Sequence, residues 1–126
     1  MPQSAGAPER MVGMVPGVRA GGFLFLSAIR GRDVETNRIP DDPYEQAVAA
    51  LRNLAAMLGG SGATLAHVVK VTLYLSDLEK RHDFHRAWLE AFPVDPPARI
   101  AVGVADANAT PGGNAYFALD VIALSP

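Results

Sequence analysis

The chain has 126 residues, no cysteine and a formal net charge of −2 at pH 7, which predicts one small domain without disulfides, thiolate nucleophiles or cysteine metal sites. Because no basic stretch is dense enough to neutralise several phosphates, we expect no nucleic acid partner. Hydrophobic residues make up 49% of the sequence and charged residues 19%, below an average of about 25%, which favours a buried subunit interface over a tightly packed monomer.

The N-terminal sequence MPQSAGAPERM contains no apolar segment, so we expect no secretion signal and a disordered tail over residues 1–10. No run of apolar residues is longer than five, and the run at 23–26 has four, so none is long enough to cross a bilayer. We therefore expect a cytoplasmic protein without membrane contacts, with a single domain over residues 11–126.

Two strands and a loop are predicted first. MVGMV at 11–15 reads as a short strand before a turn at Pro16-Gly17, and FLFLSAI at 23–29 reads as a buried strand bounded by glycines. Segment 31–42 is charged and ends in turn residues, so we interpret it as a solvated loop, with a substrate lid as the alternative.

A helix is predicted next. Asp42, Pro43 and Glu45 have the spacing of an N-cap, a first-turn proline and a capping box. Its apolar face runs to Leu58, and the glycines of GGSG at 59–62 are expected to end it.

The second half predicts a strand, a helix and two more strands. Residues 68–76 alternate apolar and polar, as in a strand of a sheet with one covered face. A helix follows Asp77 and ends near residue 92, and its apolar stripe is Phe84, Trp88, Leu89 and Phe92. Strands at 100–105 and 115–124 complete the order β-β-α-β-α-β-β, which predicts an α+β or split βαβ fold.

The three histidines give no clear catalytic or metal-binding pattern. His82 and His85 lie three residues apart on a predicted helix and could face one metal ion, but no third ligand has a matching spacing. We interpret both as exposed structural residues, and His67, at the start of a strand, as a cap or surface residue.

Two charged residues stand in strongly apolar surroundings. Arg99 begins the strand in PPARIAVGV, and Asp120 is the one charged residue in AYFALDVIAL. A charge in such a place is costly unless it is paired or serves a ligand. The alternatives are that Asp120 alternates outward in an edge strand, or that the two residues form a structural ion pair.

Several stretches resemble the RidA/YjgF family of enamine and imine deaminases. They are PPARIAVGV, the QAVAALRNL helix, GATLAHVVKVTLYLSDL and the ending LDVIAL, and the resemblance extends from about residue 13 to residue 124. It implies a chorismate-mutase-like α+β domain, with a mixed sheet carrying two helices on one face. It also implies a homotrimer with active sites between subunits.

The resemblance also implies roles for individual residues. Arg99 of the PAR motif would bind the substrate carboxylate in a bidentate fork. Asp120 stands where the family usually has glutamate, and would orient the water that attacks the imine carbon. The remaining pocket positions implied by the resemblance are Ser27 and Ala28, which partly match an SGQ motif, Met14 in place of an aromatic, Arg86 in place of an asparagine, and Ala101 in place of a cysteine.

Three functions follow from these residues. We favour a deaminase that needs no metal or organic cofactor and hydrolyses imines or enamines derived from amino acids to ammonia and a 2-keto acid. The alternatives are a non-catalytic trimeric binder of small carboxylates and, third, an endoribonuclease. Asp120 favours the first, because a pure carboxylate binder has no need for a second carboxylate.

Overall fold

A computed structural model describes residues 16–126, which form a five-stranded mixed sheet and two helices. The elements are β1 (Gly17–Ala20), β2 (Phe23–Ile29), α1 (Pro43–Gly60), β3 (Val68–Leu75), α2 (Arg81–Ala91), β4 (Ala98–Gly103) and β5 (Phe117–Leu124), with short 3-10 turns at Leu65–His67 and Leu78–Lys80. The tail predicted at 1–10, the strand predicted at 11–15 and Met14 lie outside the described residues.

The sheet order is β1-β2-β5-β3-β4, in which β3 and β4 are parallel and the other neighbours are antiparallel. The predicted α+β class and mixed sheet are confirmed. β5, the last strand of the chain, is the central strand of the sheet, and β4 is an edge strand.

The first hairpin differs from the sequence-based expectation. β1 begins at Gly17, where a turn was predicted, and the turn instead lies at Gly21 and Gly22. Both glycines have positive φ, 58° and 82°, which a two-residue hairpin turn requires and which glycine adopts without strain.

Helix α1 begins as its sequence predicts. A carboxylate oxygen of Asp42 accepts a hydrogen bond of 2.9 Å from the backbone N–H of Glu45, and Pro43 occupies the first turn. The helix continues to Gly60, two residues beyond the predicted end.

The core lies between the two helices and one face of the sheet. Leucines and valines at alternate strand positions meet the apolar stripes of both helices in one cluster. Trp88 and Phe92 are buried as predicted, whereas Leu89 is 55% exposed. The buried positions on α2 are 84, 87 and 88, and residue 89 falls outside this helical spacing.

The other face of the sheet carries exposed apolar side chains, which we call the open face. Phe23 and Phe25 on β2 alternate with the buried residues Leu24 and Leu26. Phe23, Phe25, Ile100 and Leu124 are 38%, 43%, 53% and 47% exposed. Large exposed apolar patches of this kind mark contact surfaces.

Candidate active site

Asp120 lies in the middle of the open face. It is level with Thr72 of β3 and alternates with the buried residues Leu119 and Val121. Asp120 alternates outward, as the alternative interpretation predicted, but the edge strand of that interpretation is wrong, because β5 is the central strand. Asp120 is therefore an exposed carboxylate surrounded by an apolar surface.

Ser27 is the hydrogen-bond partner of Asp120. Its hydroxyl donates to Oδ1 of the carboxylate at 2.6 Å. The pairing of β2 with β5 is irregular between Leu26 and Ile29, and this irregularity carries Ser27 and the neighbouring Ala28, both exposed. The serine fixes one carboxylate oxygen, and no described residue hydrogen-bonds to Oδ2.

Arg99 lies on β4 and reaches helix α2. Its guanidinium carbon is 4.8 Å from the centre of the Trp88 ring and 5.9 Å from that of Phe84, both within cation–π range. Its Nη2 is 3.1 Å from Nδ1 of His85. Partial burial lowers the pKa of Arg99 below its ordinary value, although a guanidinium keeps its proton in proteins.

The surroundings of Arg99 leave most of its donors available. Trp88 and Phe84 contact the guanidinium through their rings, and within residues 16–126 the hydrogen bond to His85 is the one that its side chain makes. A planar cation held in this way can bind a carboxylate through two parallel N–H donors.

Arg99 and Asp120 lie on opposite faces of the sheet. Arg99 is level with the buried Val71 on the helix side, whereas Asp120 is level with Thr72, the next residue of β3. Successive residues of a strand point to opposite faces. A structural ion pair within one chain is therefore excluded, and one chain alone does not bring these two groups into one site.

Of the other predicted site residues, Ala28 lies near Asp120 and Ala101 lies near Arg99, whereas Arg86 lies near neither. Ala28 adjoins Ser27 on the side of Asp120, and Ala101, two residues after Arg99, shares the face of Arg99. Arg86 lies apart from both, stacked on the ring of Tyr44 at 3.9 Å between α2 and α1.

Sequence reasoning missed His85 and Trp88 as neighbours of Arg99. The apolar periodicity of α2 correctly predicted that Trp88 is a core residue. It did not indicate that the Trp88 ring also contacts a cation. Helix α2 connects the parallel strands β3 and β4, and such a crossover helix packs beside the strand that follows it. That topology was the available signal.

His67 is a cap, as predicted. Its Nδ1 accepts a hydrogen bond of 3.0 Å from the backbone N–H of Thr64 at the start of the 3-10 turn before β3. Within residues 16–126, no group of three or more His, Asp or Glu side chains is arranged to hold a metal ion. No helix in the same range is long and apolar enough to cross a bilayer.

The charged loop after β2 is tied to helix α1. The Asn53 side chain donates to the carbonyls of Arg30 and Arg32 at 2.8 and 2.7 Å, and Arg32 donates to the Asn37 carbonyl at 2.8 Å. Asn53 is 8% exposed, so its amide is satisfied by these bonds in a nearly dry place. A substrate lid made from this loop would have to break them.

Comparisons with known proteins found a matching family model, related sequences and a similar solved structure. A family model described as Endoribonuclease L-PSP matches residues 5–123. A RutC family protein of Pyrococcus abyssi is 35% identical over 99 residues, 78% of each chain. A 2-iminobutanoate/2-iminopropanoate deaminase of Dermatophagoides farinae is 31% identical over 101 residues, 79% of each chain. The crystal structure of RidA from an Antarctic Psychrobacter species has a TM-score of 0.87 and 27% identity, over 98% of this chain and 97% of that chain.

Proposed function

Because this chain belongs to the Endoribonuclease L-PSP family, which is the RidA/YjgF family, we propose that it is a deaminase that hydrolyses amino-acid-derived imines and enamines without a cofactor. The products are ammonia and a 2-keto acid. The relative from Dermatophagoides farinae, whose name specifies 2-iminobutanoate and 2-iminopropanoate, supports this substrate class.

The observation that carries the proposal is the presence of both an oriented cation and an oriented carboxylate on the chain. Arg99 has a guanidinium held by Trp88 and His85, and Asp120 has one oxygen fixed by Ser27. A 2-imino acid carries a carboxylate beside an electrophilic carbon. The guanidinium of Arg99 can bind the carboxylate of the substrate, and the carboxylate of Asp120 can activate a water that attacks the imine carbon.

The reaction then balances with these groups alone. Asp120 accepts a proton from water as the water oxygen bonds to the imine carbon, and the C=N electron pair moves to nitrogen. Asp120 returns this proton to the nitrogen, which completes the carbinolamine. It then transfers the hydroxyl proton to the nitrogen in the same way, so the C–N bond breaks and ammonia leaves as the C=O bond forms. Holding substrate and water in position supplies much of the rate enhancement in such a step.

We further propose that the site forms between subunits of a homotrimer. Arg99 and Asp120 lie on opposite faces of one sheet, so a complete site needs Arg99 from one subunit and Asp120 from its neighbour. The exposed apolar residues of the open face, together with the exposed edge strand β4, supply a surface for that contact.

The experiment that tests the activity generates 2-imino acids in place with an amino-acid oxidase. Release of 2-keto acid is followed with and without the protein, over several amino acids. We expect faster release than in the uncatalysed reaction for at least one small aliphatic imino acid. Equal rates with and without the protein for every imino acid would contradict the proposal.

A further inference from the structure

Two residues of helix α2, Trp88 and His85, contact the guanidinium of Arg99. The Trp88 ring lies 4.8 Å from the guanidinium carbon and supports the side chain as a cation–π partner, but such a stack does not fix the direction of the N–H donors. The contact between Nη2 and Nδ1 of His85, at 3.1 Å, is the one that restricts rotation of those donors.

The chemistry of this contact fixes which group donates. A guanidinium has N–H donors and no acceptor, so Arg99 donates the hydrogen bond and Nδ1 of His85 accepts it.

Among residues 16–126, no carboxylate hydrogen-bonds to the His85 ring, and Glu90 on the same helix accepts a hydrogen bond from the Tyr44 hydroxyl. Within residues 16–126, Arg99 is the hydrogen-bond partner of the His85 ring.

We propose that His85 is a positioning residue for Arg99, an inference that rests on the proposed function. Its imidazole nitrogen orients the guanidinium toward the substrate carboxylate. Loss of this contact leaves the N–H donors of Arg99 free to rotate and weakens carboxylate binding.

Pyruvate, the product expected from 2-iminopropanoate, is the probe for this proposal, because its carboxylate stays ionised between pH 5 and 8. Trp88 is the single tryptophan of the chain and lies beside Arg99, so its fluorescence reports binding there, with calorimetry as a second measurement. His85→Ala should weaken pyruvate binding about tenfold at neutral pH, since a hydrogen bond to a charged donor is lost.

Two further variants separate positioning from a general structural role. In His85→Asn the side-chain amide oxygen can replace Nδ1 as the hydrogen-bond acceptor, so the affinity for pyruvate should be kept. His82→Asn, three residues earlier on the same helix, should bind pyruvate as the wild type does.

The proposal is overturned if His85→Ala binds pyruvate as the wild type does, or if His85→Asn binds pyruvate no better than His85→Ala. In both cases, binding by the wild type would leave the proposed carboxylate site standing. Absence of pyruvate binding by the wild type at neutral pH would contradict the carboxylate site at Arg99, and the positioning role with it.

Discussion

Arg99 and Asp120 lie on opposite faces of the same sheet, level with the consecutive residues Val71 and Thr72 of β3. Each is held by a neighbour of its own, Arg99 by His85 and Asp120 by Ser27. The two charged groups are therefore oriented separately and cannot meet within one chain, and this is the geometry from which we proposed a site shared by adjacent subunits.

Removal of the guanidinium should abolish carboxylate handling and leave the fold intact. We expect Arg99→Ala to lower kcat/KM at least about 10²-fold, because a two-bond charged contact is lost. Arg99→Lys should recover little of this, since ammonium keeps the charge and loses the fork. Steady-state kinetics and thermal melts check both points. A large fall in melting temperature with intact pyruvate binding would contradict the functional role.

The carboxylate on β5 should matter for turnover and not for binding. We expect Asp120→Asn to slow hydrolysis about 10²–10⁴-fold, the usual contribution of a positioned general base, with pyruvate affinity kept. Asp95→Asn is the matched control, because Asp95 is exposed in a loop and asparagine tolerates its positive φ of 49°. Unchanged turnover in Asp120→Asn would remove the base from the mechanism.

The hydroxyl of Ser27 should act through Asp120. In Ser27→Ala the 2.6 Å hydrogen bond is lost and the carboxylate can rotate, so we expect kcat to fall about tenfold with little change in KM. Ser76→Ala is the control, a serine at the end of β3 that makes a backbone contact with Tyr116. A kcat equal to that of the wild type would show that the serine does not orient the carboxylate.

The open face should hold the subunits together. Phe25, on β2 beside the central strand, is 43% exposed on this face, and Phe25→Asp would bury a charge in the proposed interface. By light scattering we expect about three times the 13.3 kDa chain mass for the wild type and a monomer for the variant. Val34→Asp, at an exposed loop residue, should remain trimeric. A wild type of monomer mass would rule out a shared site.

The sequence predicted both helices and strands β2 to β5, because these elements depend on local pattern, whereas the start of β1 was predicted as a turn. Asp120 and Arg99 stood out as charges in apolar stretches, and the cap at Asp42 was predicted from spacing alone. The position of β5 at the centre of the sheet depends on which strands pair, and this long-range fact leaves no mark in the strand's own pattern.

The faces and neighbours of the site residues were beyond prediction for the same reason. Whether Arg99 faces the helices or the open side depends on its register with β3. The position of His85 against Arg99, and that of Arg86 over Tyr44, depend on how α2 lies on its neighbours. The prediction that Leu89 is buried was wrong, because the sequence pattern of an apolar residue next to a helical stripe is the same whether its side chain is buried or exposed.

Complementation between two inactive variants tests most directly whether the site is shared. Arg99→Ala and Asp120→Asn subunits are mixed in equal amounts by co-refolding, and imine hydrolysis is compared with that of each variant alone. If each site takes Arg99 from one subunit and Asp120 from the next, random assembly restores about a quarter of the wild-type sites. Activity in the mixture no higher than the average of the two variants would contradict a site built from two subunits.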